Sequence, residues 1–432
     1  MANLHLLGFC GICYILMWLL NPAVVHKYVL AVSMGFLSVA HLHRQITDYG
    51  GYTMDFTGPL MILVQRITYV AFSVHDGLAR DESKLTDEQG KKDSRKFHLC
   101  WNISVTYIRP KDPGQKEPSP MNAVVRNLTA CLVCITVLLL TGSNYPIARN
   151  GDPEFTRSHH LIWRITYSWI SIVSIRMRYY FAFKLAEAVN NMCGLGFNGY
   201  DENGKAKWDR VTNVNILKLE FASNMKEVLD NWNICTVVWL RRIVYDRVPH
   251  HRTQAVFVLS ALWHGFYTGY YMAFTTCGLM VEAARKVRRT CRPSFQGSRV
   301  SSLVYDVTTC AVTMFCLTFT TVPFVALEFR IGLQYWSSMY YFGHVWCLVP
   351  LLLLNGGKPK RQQKSKENTQ VKSEEKDEHN NTTTDDFTEI RNRCNKKLES
   401  QNEPRNLFYT GTYTSLLKKE NIMWFLRAVY YR

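Results

Sequence analysis

A single histidine, His264, stands in the stretch Ser260–Tyr271 (SALWHGFYTGYY), otherwise made of small, apolar and aromatic residues. If the stretch is one helix, His264 shares a face with Ser260, Ala261 and Thr268. Gly265 and Gly269 then lie alongside, and Trp263, Tyr267 and Tyr270 form an aromatic stripe at helical spacing. An imidazole set among small residues has room beside it for a substrate chain, and an ionisable group inside an apolar span is costly enough to point to function. The plainer reading is a core histidine bonded between helices, with Gly265 and Gly269 as a small-residue packing face. The second segment is Asp230–Leu240 (DNWNICTVVWL), followed by RRIVYDR. On a helix it puts Asn233, Thr236, Val237 and Leu240 on one face, with Trp232 and Trp239 flanking. The Asn233 amide both donates and accepts. It suits a reacting centre, and equally a helix cap or an interhelical bond.

The elements that would hold these residues are long apolar runs. The chain has 432 residues, 47% hydrophobic and 20% charged. A membrane-crossing helix needs about 20 mostly apolar residues, and about eight stretches qualify or nearly so. They are Leu4–Leu20, Tyr28–Ala40, Phe56–Val74, Ala123–Thr141, Leu161–Phe183, Gln254–Ala284, Leu303–Leu327 and Met339–Leu354. The first lacks a basic leader and a small-residue cleavage site, so it reads as a retained helix. The fifth is interrupted by Arg176 and Arg178. The fold expected is all-α: a polytopic helical membrane protein with re-entrant or interfacial helices around a substrate chamber.

Lys and Arg collect in cytosolic loops. By that rule Asp76–Met121, Arg285–Arg292 and Lys358–Lys366 are cytosolic, and Gly142–His160 is lumenal. Gln254–Ala284 breaks the alternation, because basic sequence lies at both of its ends. One straight span cannot do this, so a tilted, broken or re-entrant path is expected, which is tolerated only where backbone is buried in protein or lines a cavity.

The net charge of +17 suits anionic lipid or a polyanionic ligand. Nucleic-acid-binding patterns do not stand out, and no nucleic-acid partner is expected. Cys10/Cys13 and Cys131/Cys134 have CxxC spacing inside apolar runs, without neighbouring His or Cys partners, so they read as buried or lipid-facing thiols and no metal is expected. Three regions follow: a membrane domain over 1–355, a charged cytosolic tail over 356–405, and a possible interfacial helix over 406–432. The tail holds too few apolar residues to offset its ordering entropy and is expected to be disordered. If it is cytosolic, the sequons at Asn380 and Asn381 stay unglycosylated. In the last segment Ile422, Phe425, Leu426 and Val429 follow an amphipathic pattern.

WHGFYTGYYMAF resembles the WHGxxxGYxxxF signature of the membrane-bound O-acyltransferase family, and WNICTVVWL resembles the upstream segment that carries that family's catalytic Asn. Trp208-Asp209 is similar to its WD element. FTGPLMI from Phe56, His75-Asp76-Gly77, Arg178-Tyr179-Tyr180, Gly194–Tyr200 and Tyr340-Tyr341-x-x-His344 resemble motifs of the lysophospholipid acyltransferase branch, with Trp336 where a Tyr is expected. The likeness runs from about Val32 to Leu354 and is nearest to members acting on lysophosphatidylethanolamine and lysophosphatidylserine. Two departures are a short N-terminus and a polar stretch between Ser94 and Met121, where the family carries an apolar segment.

The resemblance implies acyl transfer from acyl-CoA, a co-substrate, to the free hydroxyl of a lysophospholipid in a multi-pass protein of the endoplasmic reticulum membrane, with membrane lipid as a further partner. No cofactor is implied. His264 would be the general base, a task that imidazole, with a reference pKa of about 6.5, suits near pH 7. Asn233 would stabilise the oxyanion or orient the acceptor. Trp232, Trp263, Gly265, Tyr267, Gly269, Tyr270 and His344 would line the substrate site. The clusters Arg241/Arg242 and Arg285–Arg289 suit the phosphates of CoA, or are ordinary cytosolic flanking charge. Competing readings are a non-catalytic lipid-binding member, an acyltransferase for a protein or sterol acceptor, and a transport protein.

Overall fold

A computed structural model describes residues 2–51, 55–80 and 118–354. Among the described residues the chain is helical, apart from an isolated bridge between Tyr200 and Ala206. The tail and the expected interfacial helix lie outside the described residues, as does most of the polar stretch before Met121.

Three helices lead: α1 (Ala2–Leu19), α2 (Val25–Thr47) and α3 (Thr57–Leu78). Then come α4 (Met121–Thr141), the short α5 (Pro153–Ser158) and α6 (Leu161–Met192). A looped stretch with the short α7 (Ile216–Glu220) and α8 (Met225–Asn231) leads to α9 (Ile234–Leu240), which continues into a π-helical turn over Arg241–Tyr245. The last five helices are α10 (Arg252–His264), α11 (Thr268–Cys291), α12 (Arg299–Ala326), α13 (Phe329–Ser338) and α14 (Phe342–Leu353).

Of the expected spans, α2, α3, α4 and α12 are long and apolar enough to cross a membrane. Apolar helices near the first and last candidates are shorter, over Leu4–Leu19 and Phe342–Leu353. The fifth candidate is an unbroken helix of 32 residues, α6. Its charges interrupt the composition and leave the backbone intact: Arg178 is exposed, whereas Arg176 and Lys184 turn inward to partners. Arg176 lies 2.8 Å from Glu220, whose other oxygen accepts from the Tyr180 hydroxyl. Lys184 pairs with Glu187 at 2.8 Å. Cys10, Cys13, Cys131 and Cys134 are free, buried thiols.

The sixth candidate is two helices. α10 ends at His264, Gly265 takes φ 117, and α11 starts at Thr268. The two run antiparallel. Phe257 packs on Phe274, and Arg285 at the far end of α11 donates to Thr253 Oγ1 at the start of α10. At 1.5 Å per residue the 13-residue α10 spans about 20 Å, short of a hydrocarbon core of about 30 Å. Antiparallel packing puts both basic ends of the hairpin on one side, which accounts for the irregular charge pattern.

This path gives a direct test. With the exposed native thiols replaced, cysteines introduced by Arg252→Cys and Pro293→Cys are expected to react with an impermeant thiol reagent from the same side of sealed vesicles. Labelling from opposite sides would refute the hairpin.

Candidate active site

The site is built on the polar stripe of α3. Met61 O accepts the Trp263 indole N–H at 3.1 Å, one residue before His264. Gln65 Nε2 donates to Thr236 Oγ1 at 2.9 Å, and Thr68 Oγ1 accepts the Trp239 indole N–H at 3.0 Å. At the next residue, the Tyr69 hydroxyl accepts from Arg242 at 2.6 Å, and that guanidinium covers the Tyr69 ring. Buried Asp76 takes Arg247 through both oxygens at 2.7 and 2.9 Å, with Arg242 and Arg80 each at 3.4 Å. α9 thus runs parallel to α3, and extrapolating its register back from Thr236 puts Asn233 at the depth of Met61, the level at which α10 presents Trp263. The Trp239 and Trp263 rings join the two helices directly, 5.9 Å apart.

His264 terminates α10. Its ring lies against Trp263 at 4.7 Å, Phe274 and Phe324 at 5.2 Å, and Tyr270 at 5.7 Å. Despite these neighbours it is only half-buried, and neither ring nitrogen bonds to a described residue. An imidazole whose nitrogens are uncommitted can take a proton from a bound hydroxyl. Beside it, His41 of α2 donates Nε2–H to Trp263 O at 3.1 Å, satisfying one of the carbonyls that a helix C-terminus leaves orphaned. The His41 ring lies 3.2 Å from where a Cβ on Gly265 would stand, so both space and φ require glycine there.

Because the chain breaks at Gly265, Thr268 does not share a helical face with His264, and Trp263, Tyr267 and Tyr270 do not form a stripe on one helix. Trp263, Gly265 and Tyr270 adjoin His264 nonetheless. Tyr267 occupies the hairpin tip, where its hydroxyl accepts from Gly50 N at 3.0 Å. Gly269 packs against the end of α12, its N–H bonded to Leu327 O at 2.8 Å. Trp232 sits among Tyr179, Tyr180 and Phe183 of α6. His344 lies on another side of α11, its Nε2 3.4 Å from Thr276 Oγ1 and its ring edge-on to Trp336.

Asn233 starts α9 in a left-handed conformation, φ 48, which asparagine tolerates better than most residues. It does not cap the helix with its own side chain. Asn213 does so instead: its backbone carbonyl accepts from Ile234 N and its Oδ1 from Cys235 N, both at 2.9 Å, while its Nδ2 lies 3.2 Å from Asn233 Oδ1. Sequence reasoning missed His41 and Asn213. Each acts across a long sequence separation, and neither carries a local pattern beyond the asparagine pair of TNVN facing that of DNWN.

At the basic end of the hairpin an open pocket of about 380 Å³ is lined by Arg285, Arg288, Arg289, Arg292, Pro293 and Gln296. Arg288 also reaches Ser223 Oγ at 3.3 Å. Among the described residues no His, Cys, Asp and Glu side chains gather in a group able to hold a metal ion.

Comparison with known proteins adds a family and relatives. The model of MBOAT, the membrane-bound O-acyltransferase family, matches residues 92–321. Lysophospholipid acyltransferase 6 of Drosophila melanogaster is 37% identical over 388 residues, 81% of this chain and 54% of its own length. Membrane-bound glycerophospholipid O-acyltransferase 2 of Homo sapiens is 37% identical over 387 residues, 81% of this chain and 74% of its own. Lysophospholipid acyltransferase of Schizosaccharomyces pombe is 28% identical over 368 residues, 76% of this chain and 71% of its own. The chain thus spans about half the length of the fly relative and about three quarters of the human one.

Two substitutions test the scaffold. Gly265→Ala forces a side chain into a backbone region that is essentially glycine-only and against His41, at a cost of about 1–3 kcal/mol. The thermal midpoint of the detergent-solubilised protein is expected to fall accordingly. Asp76→Asn removes a buried carboxylate that faces Arg80, Arg242 and Arg247. Breaking a buried ion pair typically costs about 3–5 kcal/mol, so a larger fall is expected from the same measurement.

Proposed function

The chain belongs to the membrane-bound O-acyltransferase family, and from that premise we propose that it moves a fatty acyl group from acyl-CoA to the free hydroxyl of a lysophospholipid, in phospholipid remodelling at the endoplasmic reticulum membrane. The acceptor headgroups favoured are ethanolamine and serine. The observation that carries the reading is the half-buried imidazole of His264, free of hydrogen bonds to described residues, at the tip of a hairpin whose other end carries an arginine-lined pocket.

In this reading the CoA phosphates rest among Arg285, Arg288, Arg289 and Arg292 on the cytosolic face. The thioester then reaches down the hairpin, about 20 Å along α10, toward His264. The lysophospholipid hydroxyl attacks the thioester carbon. The new C–O bond forms as His264 takes the hydroxyl proton, and negative charge moves to the carbonyl oxygen near Asn233. The C–S bond then breaks, CoA leaves as thiolate, and the imidazolium returns its proton to give free CoA. No covalent enzyme intermediate is needed.

Membranes bearing the protein are expected to incorporate labelled oleoyl-CoA into lysophosphatidylethanolamine or lysophosphatidylserine. His264→Ala should lower turnover about a hundredfold to ten-thousandfold. Asn233→Ala should also impair it, and the double variant should fall far short of additivity, since both residues serve one transition state. His344→Ala serves as a comparison in an aromatic setting away from the His264 ring. Near-wild-type acylation by well-expressed His264→Ala would end the general-base assignment.

A further inference from the structure

The Asn233 amide has two faces, and which one meets the substrate decides its role. As a donor it stabilises developing negative charge; as an acceptor it orients a hydroxyl. The hydrogen bonds around it fix which atom is already engaged, because they start from a group with no ambiguity. The backbone N–H of Cys235 can only donate, and it points at the Asn213 side chain at 2.9 Å. The Asn213 atom facing it is therefore the carbonyl oxygen. That leaves the Asn213 Nδ2 toward Asn233, 3.2 Å away, and the Asn233 atom facing a donor is its own Oδ1. The Asn233 Nδ2 is turned away from this contact and donates to no described residue.

The same logic recurs one rung below. Asn231 Nδ2 donates to Glu227 O at 2.8 Å, so its Oδ1 faces Asn215 Nδ2, at 3.0 Å, while Asn215 N bonds Asn231 O at 3.1 Å. The segment around Asn213 and Asn215 is thus laced to the approach to α9 at two levels. The arrangement also departs from usual helix starts. An N-cap asparagine normally spends its side-chain oxygen on the N–H two or three positions ahead. Here Asn213, from outside the helix, takes the first two N–H groups with its backbone and side-chain oxygens, and Asn233 is released from capping.

We propose that Asn213 is a positioning residue for acyl transfer: by capping α9 in place of Asn233 and clamping the Asn233 oxygen, it fixes the Asn233 amide with its N–H group toward the reacting carbonyl. The proposal rests on the acyltransferase reading and assigns Asn233 the role of oxyanion donor. It makes Asn213 matter through polarity, beyond its service as a cap.

The test is Asn213→Asp. The introduced carboxylate still accepts from Cys235 N, so the cap survives. It cannot donate to Asn233 Oδ1, and instead draws the Asn233 amide around to donate to it. The expected result, in membranes carrying the full chain and labelled oleoyl-CoA with lysolipid, is a fall in kcat of about a hundredfold, in the range of losing one oxyanion donor. KM should change little, and the thermal midpoint should stay near wild type. In an Asn233→Ala background, Asn213→Asp should cost nothing further, whereas a purely structural defect would cost as much there as in wild type. Asn233→Asp is the second arm, since it still accepts from Asn213 but has no N–H to offer. It should be as impaired as Asn233→Ala.

Wild-type turnover by a folded Asn213→Asp protein, or by Asn233→Asp, overturns the clamp while loss in His264→Ala leaves the acyltransferase reading standing. Full activity in His264→Ala together with loss in Asn213→Asp sinks the general-base assignment and keeps the clamp. Absence of acyl transfer in the wild-type chain overturns both.

Discussion

One row of hydrogen-bonding groups on α3 sets the depth of everything that could react. Met61 O, Gln65, Thr68, Tyr69 and Asp76 hold, in order, Trp263, Thr236, Trp239 and the two arginines that follow α9. Polar groups in an apolar layer must find partners within the protein. A helix that carries several on one side therefore cannot slide along its neighbours without breaking them in series. α9 and α10 are short, and neither could fix its own depth by hydrophobic length. They borrow it from α3, which is long enough to cross.

The hairpin shows what a polar site in such a layer requires. Ending α10 at His264 exposes an imidazole and also frees helix-end carbonyls. The His41 bond to Trp263 O satisfies one, and glycine at 265 lets the chain turn at φ 117 against the His41 ring. α9 meets the same problem at its other pole, where free N–H groups are taken by Asn213. In both places a neighbour satisfies the backbone, which leaves the His264 ring nitrogens and the Asn233 Nδ2 uncommitted among the described residues. A further charged cluster, Arg176 with Glu220 and Tyr180, lets α6 run unbroken although its composition reads as interrupted.

His264 and Asn233 stand out in the sequence because each sits in a local motif of unusual composition, and the helical class was legible because apolar length leaves a plain trace. The break at Gly265 was foreshadowed only indirectly, by basic residues at both ends of one apolar run. Periodicity alone gave the wrong face for Thr268 and a stripe that the break dissolves. His41 and Asn213 were invisible for a different reason. Their roles depend on contacts to Trp263 and Cys235, far along the chain, and a single histidine or asparagine carries no sign of a partner more than 20 residues away. The substrate-lining expectation for Trp232 shows the converse. A tryptophan next to a candidate residue in sequence can turn its ring to a different helix, here α6.

A hairpin that begins and ends on one face has a consequence for how the chain is made. It adds an even number of passages through the apolar layer, so it leaves the orientation of α12 and all that follows unchanged whether it has inserted or not. α10 is too short to be recognised as a span by itself, and the backbone at its tip is met by α2 and by the end of α12, through His41 to Trp263 O and the Gly269 N–H to Leu327 O. α12 is synthesised after the hairpin. The tip can therefore settle fully only once its successor has arrived. The order of synthesis thus bears directly on the residues that surround His264.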